Sequence, residues 1–209
     1  MKYRLALFDM DSTLINEEII DELAASAGKK AEVSRITERA MRGELDFKSA
    51  LRQRVAFLEG LQESSLATVS SKVTFSEGAE ATIEKMKSLG MKVGVVSGGF
   101  HEVIDPVLSE LELDLVSANS LEVREGVLTG KVIGPIIDAE GKKNTLLEFA
   151  EKNSIPLDET IAIGDGANDI QMIQLAGLGV SFRGKEVLNA HAAVVLENSM
   201  TEIFDYLTD

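Results

Sequence analysis

The first apolar stretch of the chain is short and ends in acidic residues. Residues 5–8 are apolar, and Asp9, Asp11, Ser12 and Thr13 lie at or just beyond their end. A short apolar run bounded by polar residues is typical of a strand that is buried in a parallel sheet. Asp9 and Asp11 are two positions apart, so on extended backbone they point to the same side. The pattern predicts a buried first strand that ends in a pair of carboxylates.

The segment after the first strand has the hydrophobic spacing of several helices. A doubly wound sheet needs only one crossover helix at this point. Apolar residues recur every three or four positions over residues 14–61, which predicts three helices. Gly28 and Gly43 lie where the first and second of these helices are expected to end. Residues 62–76, rich in serine and threonine, are predicted to return the chain to the sheet. The excess of helices predicts an inserted helical bundle.

Strands and helices alternate beyond the insert. The spacing predicts strands at residues 92–96, 113–117, 160–163, 178–182 and 193–196. It predicts helices at residues 79–89, 100–111 and 143–152, another helix that begins near residue 168, and a final helix that ends at residue 207. Residues 121–124 and 127–133, joined by Glu125-Gly126, predict a small β-hairpin. We therefore expect an α/β fold: a doubly wound, Rossmann-like parallel sheet formed by residues 1–14 and 75–209, with residues 15–74 as a helical cap.

Composition narrows the class of protein. The chain has 209 residues, of which 44% are hydrophobic and 27% charged, as in ordinary globular domains. It contains no cysteine, which excludes disulfides and thiolate chemistry and fits a reducing, cytoplasmic setting. A net charge of −14 has the wrong sign for a nucleic-acid or anionic-membrane binder. We expect a cytoplasmic monomer or homodimer that acts on a small molecule and not on nucleic acid or membranes.

Polar residues at several predicted strand ends indicate a shared site. Asp9, Ser97 and Asp165 each follow a predicted parallel strand, and such ends meet at one edge of the sheet. Ser97 begins a turn with two glycines, where a hydroxyl and backbone N–H groups can bind phosphate oxygens. Lys142 or Lys143, near a predicted helix start, adds a positive charge. This set of groups favours phosphoryl transfer.

The acidic residues of this set require a cation. Asp9, Asp11, Asp165 and Asp169 would crowd together, and two charges about 4 Å apart repel by about 4 kcal/mol at an effective dielectric constant of 20. Oxygen-only ligands favour a hard divalent cation such as Mg²⁺. The sequence therefore predicts a magnesium site at this edge of the sheet.

Four segments resemble the four motifs of the haloacid dehalogenase superfamily. They are DMDST at residues 9–13, SGGF at 97–100, Lys142, and GDGAND at 164–169. Within that superfamily the chain resembles the phosphoserine phosphatase family over essentially its whole length. The resemblance implies that Asp9 is the nucleophile, forming an aspartyl-phosphate, and that Asp11 is the general acid and then the general base.

The resemblance also implies roles for the remaining core residues. One Mg²⁺ would be held by the Asp9 side chain, the Asp11 backbone carbonyl and the Asp165 side chain, with Asp169 orienting these groups. Lys143 is a rival for the lysine position, and we prefer Lys142 because its distance from Asp165 in the sequence matches the family pattern. The phosphate-binding residues would be Ser97, Gly98, Lys142 and Asn168.

The insert is expected to carry substrate specificity. Arg54 lies on the apolar face of the third predicted helix, where it is either an edge arginine reaching solvent or an anion ligand. By the resemblance, Arg54 binds a substrate carboxylate and Glu18 binds its ammonium group. Met41, Phe47 and Gly99 would line the same pocket.

These expectations combine into one function. We expect Mg²⁺-dependent hydrolysis of O-phospho-L-serine to L-serine and phosphate through an aspartyl-phosphate, a step of serine biosynthesis. The alternatives are transfer of the phosphoryl group to homoserine, hydrolysis of another small phosphomonoester, or a non-catalytic phosphate-binding scaffold. A non-catalytic scaffold would need neither a nucleophile nor an acid, so it does not explain why Asp9 and Asp11 are both present.

Overall fold

The computed structural model describes residues 2–42 and 44–207. In this part of the chain one sheet contains β1 (Leu5–Asp9), β2 (Lys92–Phe100), β3 (Leu115–Arg124), β4 (Val127–Ile133), β5 (Thr160–Gly164), β6 (Leu178–Phe182) and β7 (Val194–Leu196). Their spatial order is β4-β3-β2-β1-β5-β6-β7. All neighbouring strands are parallel except β3 and β4, which pair antiparallel. β1 is therefore flanked by β2 and β5, whose ends carry the other predicted site residues.

Helices precede and follow these strands. Between β1 and β2 lie α1 (Ile19–Ser26), α2 (Lys30–Met41), α3 (Phe47–Ala56), α4 (Ser64–Ser70) and α5 (Ala79–Ser88). The later helices are α6 (His101–Leu108), α7 (Ala139–Lys152), α8 (Ile170–Leu175) and α9 (Glu186–Asn189). Within the described ranges, no helix has both the length and the apolar character required to cross a membrane.

Alternate residues of β1 pack on opposite faces of the sheet. Ala6 and Phe8 belong to a large hydrophobic cluster that also holds residues of α1, α5 and α6. Leu5 and Leu7 belong to a second cluster with residues of α7 and α8. The five residues of β1 are all buried, as expected of a central parallel strand. Helices thus cover both faces, which confirms the doubly wound α/β prediction.

The chain enters and leaves the inserted helices at adjacent points. Ile15 and Phe75 form an antiparallel bridge, and the Asn16 N–H donates to the Thr74 carbonyl at 3.0 Å. The Glu17 carboxylate accepts hydrogen bonds from the Thr74 backbone N–H at 2.9 Å and from its hydroxyl at 2.7 Å. The two connections between the insert and the sheet therefore run side by side.

The far end of the insert is also bonded to the β3–β4 hairpin. The Gly60 N–H donates to the Leu128 carbonyl, and the Leu128 N–H donates to the Leu61 carbonyl, each at 2.9 Å. The Glu63 N–H donates to the Gly126 carbonyl, also at 2.9 Å. Backbone hydrogen bonds thus join the segment after α3 to an edge of the sheet.

Two segments of the sheet differ from the prediction. Residues 113–117 and 121–124 were expected to be separate strands, but β3 runs without a break because its first half pairs with β2 and its second half with β4. Residues 97–99 were expected to be a turn, but they lie inside β2. The pairing of β2 with β3 shifts register between Val96 and Phe100, so this stretch is an irregular part of the strand.

Several helix boundaries differ as well. α7 begins four residues before the predicted 143, because the Asp138 side chain caps it by accepting from the Gly141 N–H at 3.0 Å. The return segment 62–76 contains α4, and the last segment is a 3₁₀-helix, Met200–Tyr206, where an α-helix was expected. The predicted terminator Gly43 and the side chain of Met41 lie outside the described residues.

Candidate active site

Three carboxylates meet where β1 and β5 end. Asp9 is the last residue of β1 and is 3% exposed, and Asp165 follows β5 directly. Asp9, Asp165 and Asp169 each offer one oxygen, and these oxygens lie within 4.8 Å of one another. Asp9 and Ser97 lie in their strands and not after them as predicted, but the parallel pairing still brings them to the same edge. The structure therefore brings together three of the four acids that were predicted to crowd, and the Asp11 side chain is not part of this cluster.

Lys142 lies inside this cluster. Its ammonium group donates to Asp9 Oδ1 and, at 2.7 Å, to Asp169 Oδ1. Asp169 Oδ2 accepts from the backbone N–H groups of Asp165 and Gly166, each at 3.1 Å. Of the two candidate lysines, Lys142 contacts the carboxylates, whereas Lys143 is the next residue along α7 and is only half-buried. Asp169 thus accepts three hydrogen bonds, two of them from backbone N–H groups, whereas Asp9 accepts from Lys142 and, at 3.4 Å, from the Thr13 hydroxyl.

Burial and charge shift the pKa values of the cluster. Burial raises the pKa of Asp9 well above its usual range, and the Asp169 carboxylate adds to this. Burial also raises the pKa of Asp165, against the opposing effect of Lys185, whose Nζ is 3.3 Å from Asp165 Oδ2. For Lys142, burial lowers the pKa, but Asp169 and Asp9 outweigh it and raise the value overall.

The cluster suits a hard divalent cation. Asp9, Asp165 and Asp169 can each present one carboxylate oxygen to the same ion, and oxygen ligands are what Mg²⁺ or a similar ion requires. A bound dication would favour the ionised form of both Asp9 and Asp165. The residues present therefore fit a divalent metal ion.

Asp11 is half-buried, and its carboxylate lies close enough to Asp9 for its charge to raise the pKa of that group. The Ile19 backbone N–H donates to its Oδ1 at 3.3 Å. Burial, followed by the nearby Glu18 carboxylate, raises the pKa of Asp11 to about 7. A carboxyl group with this pKa can both give and take a proton near neutral pH.

The Ser97-Gly98-Gly99 stretch passes beside Asp11. Ser97 is fully buried, and its Oγ accepts from the Gly99 N–H at 2.8 Å, which leaves its hydroxyl hydrogen free to donate. A Cβ on Gly99 would lie 3.0 Å from Ser97 Oγ and 3.2 Å from Asp11 Oδ2. A Cβ on Gly98 would lie 3.3 Å from Cζ of Phe47, which belongs to α3 of the insert. The glycines thus leave room between the sheet edge and the insert.

Arg54 and Glu18, which belong to the insert, both carry charges close to Asp11. Arg54 is half-buried, and its Nε is a buried atom that has no hydrogen-bond partner among the described residues. Burial lowers the pKa of Arg54, whereas Asp21, Glu18 and Asp11 act to raise it. Glu18 is exposed, and its Oε1 accepts from the Ser12 hydroxyl at 2.8 Å. The arginine therefore has an unused donor close to several acids.

Asn168 completes the set of predicted core residues. It is half-buried in the 3₁₀ turn Ala167–Asp169, and its Oδ1 is 2.8 Å from the position that a Cβ on Gly166 would take. Asn168 therefore lies against the loop that carries Asp165.

Sequence reasoning missed two residues that contact the site. Lys185 follows β6, its backbone N–H donates to the Asp165 carbonyl at 2.8 Å, and its ammonium group contacts the Asp165 carboxylate. Its position just beyond a parallel strand was the available signal. The second is Asn119, an amide in β3 whose Nδ2 donates to the Gly98 carbonyl at 2.8 Å. Asn119 lies between the predicted strands 113–117 and 121–124, so no feature of the sequence indicated its role.

Comparison with known proteins identifies the class. A family model for haloacid dehalogenase-like hydrolases matches residues 6–174, and the chain belongs to this family. Within it, the chain is 45% identical over 206 residues to a phosphoserine phosphatase of Streptococcus thermophilus, covering 98% of this chain and 96% of that protein. It is 42% identical over 207 residues to a phosphoserine phosphatase of Methanocaldococcus jannaschii, covering 99% and 98%. These relatives confirm the resemblance that the motifs indicated.

Some relatives are longer than this chain. A phosphoserine phosphatase of Mycobacterium tuberculosis is 47% identical over 195 residues, which are 93% of this chain but 48% of that protein. The chain therefore spans about half the length of that relative and nearly all of the Streptococcus protein.

Solved structures confirm the fold. A substrate-bound phosphoserine phosphatase superposes with a TM-score of 0.92 at 41% identity, covering 100% of both chains. A phospho-aspartyl intermediate analogue of a phosphoserine phosphatase gives the same TM-score, identity and coverage. The architecture is therefore shared from end to end.

Proposed function

We propose that this chain is a Mg²⁺-dependent phosphoserine phosphatase that hydrolyses O-phospho-L-serine to L-serine and phosphate, as a step of serine biosynthesis. The observation that carries the proposal is the placement of the buried Asp9–Lys142 pair beside Asp11, a carboxyl with a pKa of about 7. The phosphoserine phosphatases that match over nearly the whole chain support the choice of substrate. A cytoplasmic location agrees with the absence of cysteine.

In the first step Asp9 attacks phosphorus, and the bond from phosphorus to the seryl oxygen breaks. The departing oxygen takes the proton of Asp11, so L-serine leaves as the neutral alcohol and Asp9 becomes an aspartyl-phosphate. In the second step Asp11, now a carboxylate, takes a proton from water as that water attacks phosphorus. Asp9 is released, and Asp11 is protonated again.

Asp9 and Asp165, with the backbone carbonyl of Asp11, are proposed to hold one Mg²⁺. When bound, the ion supplies positive charge to the phosphoryl oxygens. Asp169 is proposed to orient the site and not to bind the ion directly, because it accepts three hydrogen bonds, two of them from backbone N–H groups, whereas Asp9 accepts two from side chains. Ser97, the Gly98 backbone, Lys142 and Asn168 are proposed to bind the phosphoryl oxygens.

Residues 15–74 are proposed to form a cap that closes the site and selects the substrate. The unused Arg54 donor is proposed to bind the substrate carboxylate, and the Glu18 carboxylate is proposed to bind its ammonium group. Phe47 and Gly99 are proposed to line the pocket, together with Met41. The approach of Phe47 to Gly98 supports a pocket between the insert and the sheet edge.

The test is phosphate release from a panel of phosphomonoesters with and without Mg²⁺. We expect L-phosphoserine to be preferred over D-phosphoserine, phosphothreonine, phosphohomoserine and sugar phosphates, and we expect EDTA to stop turnover. Asp9→Asn should lower the rate by roughly 10³-fold or more, because the covalent route is lost. Comparable turnover across the panel would indicate a general phosphatase, transfer to added homoserine would indicate a phosphotransferase, and phosphate binding without turnover would indicate a scaffold.

A further inference from the structure

Asn119 is a buried amide that joins two separate parts of the site. The residue lies in β3 and is 1% exposed. Its Nδ2 donates to the Gly98 carbonyl at 2.8 Å, and its Oδ1 accepts from the Ile137 N–H at 2.9 Å. The amide therefore uses a donor and its acceptor on two backbone segments far apart in sequence.

The bond to Gly98 lies where the sheet is irregular. β2 and β3 pair regularly as far as Val96, and the register shifts before Phe100 pairs with Asn119. A shifted register interrupts the regular ladder of backbone hydrogen bonds, and a side chain can supply the missing partner. Asn119 is that side chain for Gly98, the residue next to Ser97.

The bond to Ile137 fixes the approach to α7. Ile137 precedes Asp138, which caps α7 through the Gly141 N–H. The first turn of this helix carries Lys142, whose ammonium group contacts Asp9. The position of the 137–138 backbone therefore determines where the lysine enters the site.

We propose that Asn119 is a positioning residue that sets the distance between the Ser97–Gly98 backbone and the first turn of α7. The Ser97–Gly98 backbone and Lys142, which are proposed to bind the phosphoryl oxygens, are then both held in position through the same buried side chain. This inference rests on the proposed function for the identity of the bound group, a phosphoryl. Burying an amide is unfavourable unless its hydrogen bonds are made, and asparagine is disfavoured in strands, so packing alone gives no reason for this residue.

A displacement of the phosphoryl-binding groups should reduce the rate strongly, since a shift of about 1 Å can cost about 100-fold. Asn119→Asp keeps the shape and the acceptor for the Ile137 N–H but places an oxygen against the Gly98 carbonyl. Asn119→Ala removes both hydrogen bonds. We expect each variant to lower kcat/KM for L-phosphoserine by about 10- to 100-fold. We also expect each to weaken binding of inorganic phosphate, measured by calorimetry, by about tenfold.

Thr160→Val is the matched control. Thr160 is fully buried, and its hydroxyl donates to the Leu157 carbonyl at 2.7 Å at the amino end of β5, the end opposite the site. We expect this variant to lose thermal stability as the Asn119 variants do but to keep kcat/KM and phosphate affinity within about twofold, because no binding group moves.

The outcomes separate the two proposals. If the Asn119 variants lose only thermal stability, with kcat/KM and phosphate affinity unchanged as in Thr160→Val, the positioning role is wrong. If the wild-type protein does not hydrolyse phosphoserine, the proposed function is wrong, and calorimetry with inorganic phosphate still decides the role of Asn119. If one variant fails to fold, the other gives the same comparison.

Discussion

The charged side chains at the sheet edge and those in the insert differ in how deeply they are buried and in whether they are paired. At the sheet edge Asp9, Asp169 and Lys142 are almost completely buried, and they pair with one another. In the insert Arg54 is half-buried with an unused Nε, and Glu18 is exposed. At the sheet edge, the charged groups that are proposed to act in the chemistry are therefore neutralised by other charged groups of the protein. The protein leaves the charges proposed for recognition available to a ligand.

This difference has an energetic consequence. A buried charge that loses its partner is strongly destabilising, whereas removal of a partly exposed charge costs the fold little. Variants at the sheet edge should therefore affect stability and rate together. Variants in the insert should affect specificity while the fold remains intact.

Lys142→Met should have the largest effect. It leaves Asp9 and Asp169 buried without their cation, so we expect a loss of about 3–5 kcal/mol in the free energy of unfolding in EDTA, measured by urea denaturation. Phosphate release should also fall to a small fraction of the wild-type rate. Lys143→Met is the control, because this half-buried neighbour lies on the same turn of α7. A larger loss in Lys143→Met would contradict the assignment of the lysine.

Arg54→Ala should come next and should depend on the substrate. We expect kcat/KM for L-phosphoserine to fall by roughly 10- to 150-fold, the equivalent of one charged hydrogen bond. Phosphoethanolamine lacks the carboxylate, so its hydrolysis should change far less. Arg52→Ala, at an exposed position on the same helix, should leave both substrates unaffected. An equal loss on both substrates in Arg54→Ala would rule out a carboxylate-binding role.

Glu18→Gln should lower kcat/KM for L-phosphoserine by less than Arg54→Ala, through the proposed ammonium contact, and should also shift the pH profile. Burial and then the Glu18 carboxylate raise the pKa of Asp11 to about 7, and Asp11 must be protonated to donate to the leaving oxygen. The rate constant kcat/KM should therefore decline as pH rises through this pKa. Without the Glu18 charge the pKa falls, so the decline should begin at lower pH. Glu22→Gln should keep the wild-type midpoint, and an unshifted or raised midpoint in Glu18→Gln would contradict the coupling.

The sequence predicted the meeting of Asp9 and Asp165 because strand ends in a parallel sheet must share an edge. The residue pattern alone left Lys142 and Lys143 open, because one position around α7 decides which lysine faces the sheet, and only the family resemblance favoured Lys142. That choice depends on the Asp138 cap and the earlier helix start. Arg54 was recognisable as a charge on an apolar face, but its unused Nε could be seen only once α3 was placed.

The atoms that Asn119 and Lys185 contact could not be predicted, for a related reason. Their contacts depend on a register shift in β2 and on the path of the loop after β6, which are properties of the assembled sheet. Hydrophobic periodicity reports which face of an element is buried. It carries no information about which backbone atom a buried amide will reach.

The hydrogen bonds between the segment after α3 and the β3–β4 hairpin restrict how the insert can move. Besides the paired connections at Ile15 and Phe75, the insert is attached to the hairpin by backbone groups of Gly60, Leu61 and Glu63. A swing away from the sheet must either break those bonds or carry the hairpin along. β4 has a single neighbour in the sheet, so it can bend with the insert. The position of the insert over the sheet is therefore coupled to the position of the edge strand.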